Sequence, residues 1–150
     1  MALTIERRGK GSLTLDPPVM SAAGVLGFPA ESKGLIKRDK LGARVTNPVT
    51  LYPRSPASGT RVIPLGTGIL VHSGLPNLGL DATLNTYSGK WRKLALGVVL
   101  HRVATTPEEV RRACERINAE EHVDAVERGI GDDTGTQDGL LLGRAARDLE

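Results

Sequence analysis

The sequence predicts a parallel α/β fold, and three observations carry that expectation. Strand-like and helix-like segments alternate about four times after an N-terminal hairpin pattern. Leu94 to Leu100 is nearly all apolar, as in a parallel strand covered on both faces. Thr106-Pro107-Glu108-Glu109 combines an N-cap threonine, proline at the first helical position and a glutamate that completes a capping box. The alternation leaves two closures open, a doubly wound sheet and a βα barrel. No GxGxxG follows the first strand and no GxxxxGK[ST] occurs, which argues against a nucleotide-binding fold.

In chain order, Leu3-Thr4-Ile5-Glu6 and Ser12-Leu13-Thr14-Leu15 alternate apolar and polar residues around Arg7–Gly11 and predict a hairpin, ended by Asp16-Pro17-Pro18. Val19-Met20-Ser21-Ala22-Ala23-Gly24 reads as a short buried strand closing on a glycine turn. Glu31 to Lys40 reads as a helix with Leu35 and Ile36 facing inward. Gly42 to Pro48 reads as the second buried strand. A Pro- and Gly-rich excursion follows to about Gly79, with strand candidates at Arg61-Val62-Ile63-Pro64 and Gly68-Ile69-Leu70-Val71. An excursion of that length that carries its own strand pattern favours function. Asp81 to Lys93 reads as a helix with Asp81 as N-cap, weakened at Gly89. After the apolar strand and the capped helix, whose apolar face is Val110, Ala113, Cys114 and Ile117, a strand is expected at His122 to Glu127. A polar loop over Gly129–Gly139 and a helix over Leu140–Leu149 complete the pattern. Trp91 is expected to plug helix to sheet, and Cys114 to be packed rather than nucleophilic.

The chain has 150 residues, 39% of them hydrophobic and 25% charged, which fits one globular domain over 1–150 with a real core. A net charge of +3 spread over the helices reads as a solvated surface rather than a nucleic-acid site, and aromatic stacking groups are nearly absent. Cys114 is the single cysteine, so no internal disulfide forms and a reducing, cytoplasmic setting is expected. No apolar run approaches the roughly 20 residues of a membrane helix, and the N-terminus lacks the apolar centre of a signal peptide.

The stretch GLPNLGLD, Gly74 to Asp81, is too irregular for helix or strand and reads as a binding loop on a rigid scaffold. With it, Val19-Met20-Ser21-Ala22-Ala23-Gly24, Gly42-Ala43-Arg44-Val45-Thr46, Thr50-Leu51-Tyr52-Pro53-Arg54 and Val123-Asp124-Ala125-Val126-Glu127 stand in an order and spacing that resemble the dihydroorotate dehydrogenase family of FMN-dependent (β/α)₈ barrels. The resemblance runs from about Leu13 to Glu127. It implies roughly half of such a barrel, with an N-terminal hairpin and a β-containing excursion after strand two. A whole barrel needs about 250 residues, so the resemblance also implies that the sequence is part of a longer product, or that a second half-barrel chain or self-association completes it.

By the same resemblance, Ala22, Ala23, Gly24, Thr46 and Asn47 line FMN, and His72, Ser73, Gly74, Leu75 and Asn77 lie at a small-molecule substrate. Ala22–Gly24 equally fit tight strand–helix packing, and a lone loop histidine such as His72 is more often solvated than functional. Asp132 falls where the family keeps its Cys or Ser base, although Asp-Asp-Thr-Gly is also an ordinary turn. Three positions depart from the family: Asn47 stands in place of a lysine that touches flavin and substrate, and Val71 and Gly129 in place of substrate asparagines. Asp132, Asp133 and Asp138 have no EF-hand spacing, so no metal site is expected. Two functions follow as expectations: an FMN-dependent oxidoreductase component passing hydride from a small cyclic substrate to flavin, or a non-catalytic subunit that keeps the scaffold.

Overall fold

The computed structural model describes residues 2–7, 11–28, 40–104 and 106–129. The elements are β1 (Leu3–Arg7), β2 (Gly11–Leu15), β3 (Ala43–Val45), β4 (Val62–Leu65), β5 (Gly68–Val71), α1 (Leu80–Trp91), β6 (Gly97–Val103), α2 (Pro107–Asn118) and β7 (Ala125–Gly129). β3, β6 and β7 form a parallel sheet in the order β3-β6-β7, with Val45 opposite Val99, and His101 opposite Glu127. The predicted parallel α/β arrangement is therefore present.

Side-chain alternation along β6 divides the core in two. Val98 and Leu100 enter a cluster with Leu80, Leu84, Trp91, Ala113, Ile117 and Val123, so α1 and α2 cover one face of the sheet. Trp91 is buried there, the plug that its position predicts, and Tyr87 stacks between it and Phe28. Val99 faces the other way, into a cluster with Leu13, Leu15, Ala43 and Val45. The hairpin β1–β2 thus closes this second face, its antiparallel register pairing Ile5 with Leu13. The second face is the one on which β6 and β7 carry His101 and Glu127.

Three elements differ from their sequence expectation, each for a local reason. The segment at Val19–Gly24 is not a buried strand: only Met20 bridges, in parallel to Ala43, and Val19 and Met20 are 49% and 44% exposed. Among the described residues no strand pairs with its far side, so apolar composition alone does not bury it. α1 begins at Leu80 with Gly79 as N-cap, not Asp81, which sits in the first turn and accepts a hydrogen bond from Arg116 at 2.8 Å. Asn77 Oδ1 takes the Gly79 N–H at 2.9 Å and turns the chain into the helix two residues early. β6 continues to Val103 because its ladder extends through His101 and Arg102, and β7 starts at Ala125 rather than His122. The capped helix agrees with its pattern: Thr106 Oγ1 accepts the Glu109 N–H at 3.2 Å. The helices expected at Glu31–Lys40 and Leu140–Leu149, and the loop beyond Gly129, lie outside the described residues apart from Lys40.

Candidate functional site

Parallel strands deliver their C-terminal ends to one rim, where the loops that follow can converge. Here that rim is built from Thr46 and Asn47 after β3, the end of β6, Gly129 at the end of β7, and the turn after the Met20 bridge. Ser21 Oγ accepts the Val45 N–H at 3.0 Å, and the Gly24 N–H donates to Thr46 O at 3.3 Å. The turn Ala22–Gly24 is thereby held beside Thr46. Ala23 packs on the hairpin-side cluster, while Ala22 and Gly24 are exposed and a Cβ at Gly24 would meet nothing within 4 Å.

β3 does not end cleanly. The Thr46 N–H reaches Val99 O at 3.0 Å, and the next link is from Val49 N–H to His101 O at 2.9 Å. Three residues on one strand thus span two on the other, and Asn47 and Pro48 form a bulge, a feature common beside active sites. Thr46 Oγ1 fills the gap, accepting the His101 N–H at 3.1 Å and donating to Asn47 O at 2.9 Å. The bulge leaves Asn47 Oδ1 buried without a hydrogen-bond partner among the described residues. Such an acceptor is costly unless something meets it.

The Gly74–Asp81 loop lies against residues 50–57. Arg54 and Asn77 form an antiparallel bridge, and the Ala57 N–H donates to Ser73 O at 2.9 Å. Asn77 organises the loop: Oδ1 accepts from the Thr50 N–H at 3.2 Å and the Gly79 N–H at 2.9 Å, while Nδ2 donates to Leu75 O and Thr50 Oγ1, both at 2.9 Å. Gly74 and Leu75 both take positive φ, 75° and 48°, an unusual conformation for leucine that these bonds enforce. His72 and Ser73 are exposed at its entrance, and Ser73 Oγ accepts the Leu75 N–H at 3.1 Å. The structure therefore joins the loop to the end of β3 through Thr50, only three residues beyond Asn47. The β4–β5 hairpin at the start of this loop is exposed throughout, Val71 included.

Asp132, with Asp133 and Asp138, lies outside the described residues. Among the described residues no group of three His, Cys, Asp or Glu could hold a metal ion, and no helix is long and apolar enough to cross a membrane.

Sequence reasoning misses one pair. His101 Nδ1 lies 2.7 Å from Glu127 Oε2 on the hairpin side of the sheet, with His101 15% and Glu127 48% exposed. The apolar run that marks β6 stops at Leu100, so His101 falls outside the strand as read from the sequence. Its spacing from Val99 was the available signal, since residues two apart share a face. Behind the sheet, Arg102 is 2% exposed, and among the described residues Nε, Nη1 and Nη2 all lack hydrogen-bond partners. Burial holds this guanidinium below its ordinary range.

Comparison with known proteins places this geometry in context. Residues 11–130 match the family model described as dihydroorotate dehydrogenase. A relative from Trichlorobacter lovleyi, named dihydroorotate dehydrogenase B (NAD(+)), catalytic subunit, is 31% identical over 133 residues, covering 89% of this chain and 44% of the relative. Proteins of the same name are 29% identical in Desulforamulus reducens over 133 residues (89% and 44%) and 29% identical in Geobacter sulfurreducens over 141 residues (94% and 45%). The chain spans less than half the length of these relatives.

Proposed function

The chain belongs to the dihydroorotate dehydrogenase family, and on that premise we propose that it is the N-terminal half of an FMN-dependent oxidoreductase barrel, completed by a second half. The observation that carries this reading is Asn47 Oδ1, a buried acceptor left unpaired at the C-terminal rim of the parallel strands. Flavin presents imide and ring N–H groups, and an acceptor there suits them. The small residues Ala22, Ala23 and Gly24 beside Thr46 leave room for a flat ring. These residues fit the cofactor that the family implies.

In this reading Ala22, Ala23, Gly24, Thr46 and Asn47 hold FMN, which supplies hydride acceptance when bound. Thr46 acts by fixing the bulge that presents Asn47. The loop with His72, Ser73, Gly74, Leu75 and Asn77 shapes the substrate side, Asn77 through the bonds that set the loop. Asp132 takes the substrate proton. Asn47 offers a neutral hydrogen bond where the family has a lysine, so the substrate is a small cyclic molecule that need not be dihydroorotate. The cytoplasm is the expected setting.

A direct test is to purify the protein in its native assembly and record its visible spectrum while adding FMN. Bound flavin bands support the reading. A colourless protein that takes up no FMN in that assembly overturns it. One observation favours the second reading, a non-catalytic subunit: every hydrogen-bonding group of the Asn77 side chain is used within the protein, by Thr50, Leu75 and Gly79. That reading predicts a stable oligomer without pigment, and a monodisperse monomer by light scattering rules it out.

A further inference from the structure

On the same face, the register of β6 and β7 sets His101 opposite Glu127 and Val103 opposite Gly129. The imidazole does not point along its own strand. A Cβ built at Gly129 would stand 2.9 Å from His101 Nε2 and 3.0 Å from Cε1, so the ring lies across the strand gap, where a residue-129 side chain would begin. The absence of a side chain at Gly129 and the presence of the ring are one feature.

The pairing with Glu127 fixes what that imidazole offers. A carboxylate accepts hydrogen bonds, so the imidazole presents Nδ1–H to Glu127, and in the neutral form of the ring Nε2 is then a bare acceptor. No hydrogen bond to Nε2 is formed within the described residues. Glu127 is half-exposed, so the pair sits at the edge of the covered core and not within it. On the strand to the other side of His101, Asn47 Oδ1 is the second unpaired acceptor of the rim.

We propose that His101, oriented by Glu127 and housed by Gly129, is a ligand-contacting residue that accepts a hydrogen bond at Nε2 from an imide-type ring N–H. This rests on the flavin reading above. The N–H could belong to the isoalloxazine ring or to a pyrimidine substrate, and the two share this chemistry. Glu127 is a positioning residue and touches no ligand.

The test uses the protein in its native assembly with FMN and orotate as probes. FMN affinity is measured by fluorescence quenching, and orotate affinity from the spectral perturbation of the FMN-loaded protein. His101→Ala should weaken one of the two by about tenfold, and which one weakens identifies the source of the N–H. Glu127→Leu, which removes the acceptor, should weaken the same probe less. In nitrogen-15 spectra it should also change the His101 tautomer from Nδ1–H, a readout that needs no ligand. His101→Ala combined with Gly129→Asn should recover most of the affinity, because the amide then enters the vacated space. If His101→Ala binds both probes as the wild type does, the inference is overturned and the flavin reading stands. If the wild type binds no FMN, the flavin reading falls and this inference falls with it.

Discussion

Single residues decide the geometry of the loop that most marks this sequence. Gly74 has φ near 75°, and a Cβ there would come within 2.6 Å of the Ala57 backbone nitrogen. Gly74→Ala therefore meets both left-handed strain and a backbone clash, and should destabilise the protein by about 2 kcal/mol, seen as a lowered denaturation midpoint. Asn77→Ala removes an amide that ties residues 50, 75 and 79 together. It should cost about 2–3 kcal/mol by leaving partly buried partners unmet. Asn77→Asp keeps the acceptor but loses both donated bonds and should fall between the two. An unchanged midpoint for Asn77→Ala would show that the amide does not organise the loop. The loop's importance is legible from Gly-Leu-Pro-Asn itself. What Asn77 bonds to is not, because Thr50 lies 27 residues away and only the folded excursion brings it near.

At the scale of elements, local chemistry is well read and pairing is not. α2 carries its boundary in four residues, Thr106 to Glu109, and its N-cap bond forms as expected. Thr106→Ala should cost about 1 kcal/mol, with earlier loss of helix signal on heating. On the exposed side of that helix, Arg111 bonds Glu108 and Glu115 at 2.6 Å each. The hydrogen bond from Arg111 holds the Glu108 carboxyl below its usual value of 4.5. A depressed folded pKa gives a contribution present above 4.5 and lost as pH falls below it, so amide exchange in the first turn of α2 should quicken on acidification. β6 is the contrasting case. Its last three residues include a histidine and an arginine, which end the apolar pattern while the ladder runs on. Register with β3 and β7 is a tertiary property, so the alignment of His101 with Glu127 cannot be seen along one strand. Arg102 shows the cost of such placement: its guanidinium is buried against α2 with no hydrogen-bond partner among the described residues. Arg102→Met keeps most of the volume and removes the desolvated charge, and should raise stability by about 1–3 kcal/mol. A lowered midpoint would mean that the charge is compensated electrostatically by Glu109 across the helix.

At the scale of the whole molecule, the described surface is unfinished in a particular way. Among the described residues the parallel sheet has three strands, with isolated parallel bridges from Met20 to Ala43 and from Val49 to Arg102, and its flanks expose Val19, Met20 and Val126. The β4–β5 ribbon has no charged residue, and both its faces are apolar: Val62, Ile69 and Val71 on one, Ile63, Leu65 and Leu70 on the other. Two-stranded ribbons are marginal alone, and an exposed apolar patch of this kind marks a contact surface. The β5 edge is the more open of the two, because Pro64 removes one donor from β4. The chain spans less than half the length of its relatives, and under the proposed half-barrel reading a second half would cover these surfaces. Amides of residues 62–71 should then exchange about tenfold more slowly in the native assembly than in the isolated chain, as should those around Met20. Ile69→Lys and Val71→Lys, placed on the open edge, should lower the assembled mass by light scattering, whereas a lysine at exposed Glu115 on α2 should not. Fast exchange at 62–71 in every preparation, together with a monomeric mass, would mean that the sheet closes without a second half.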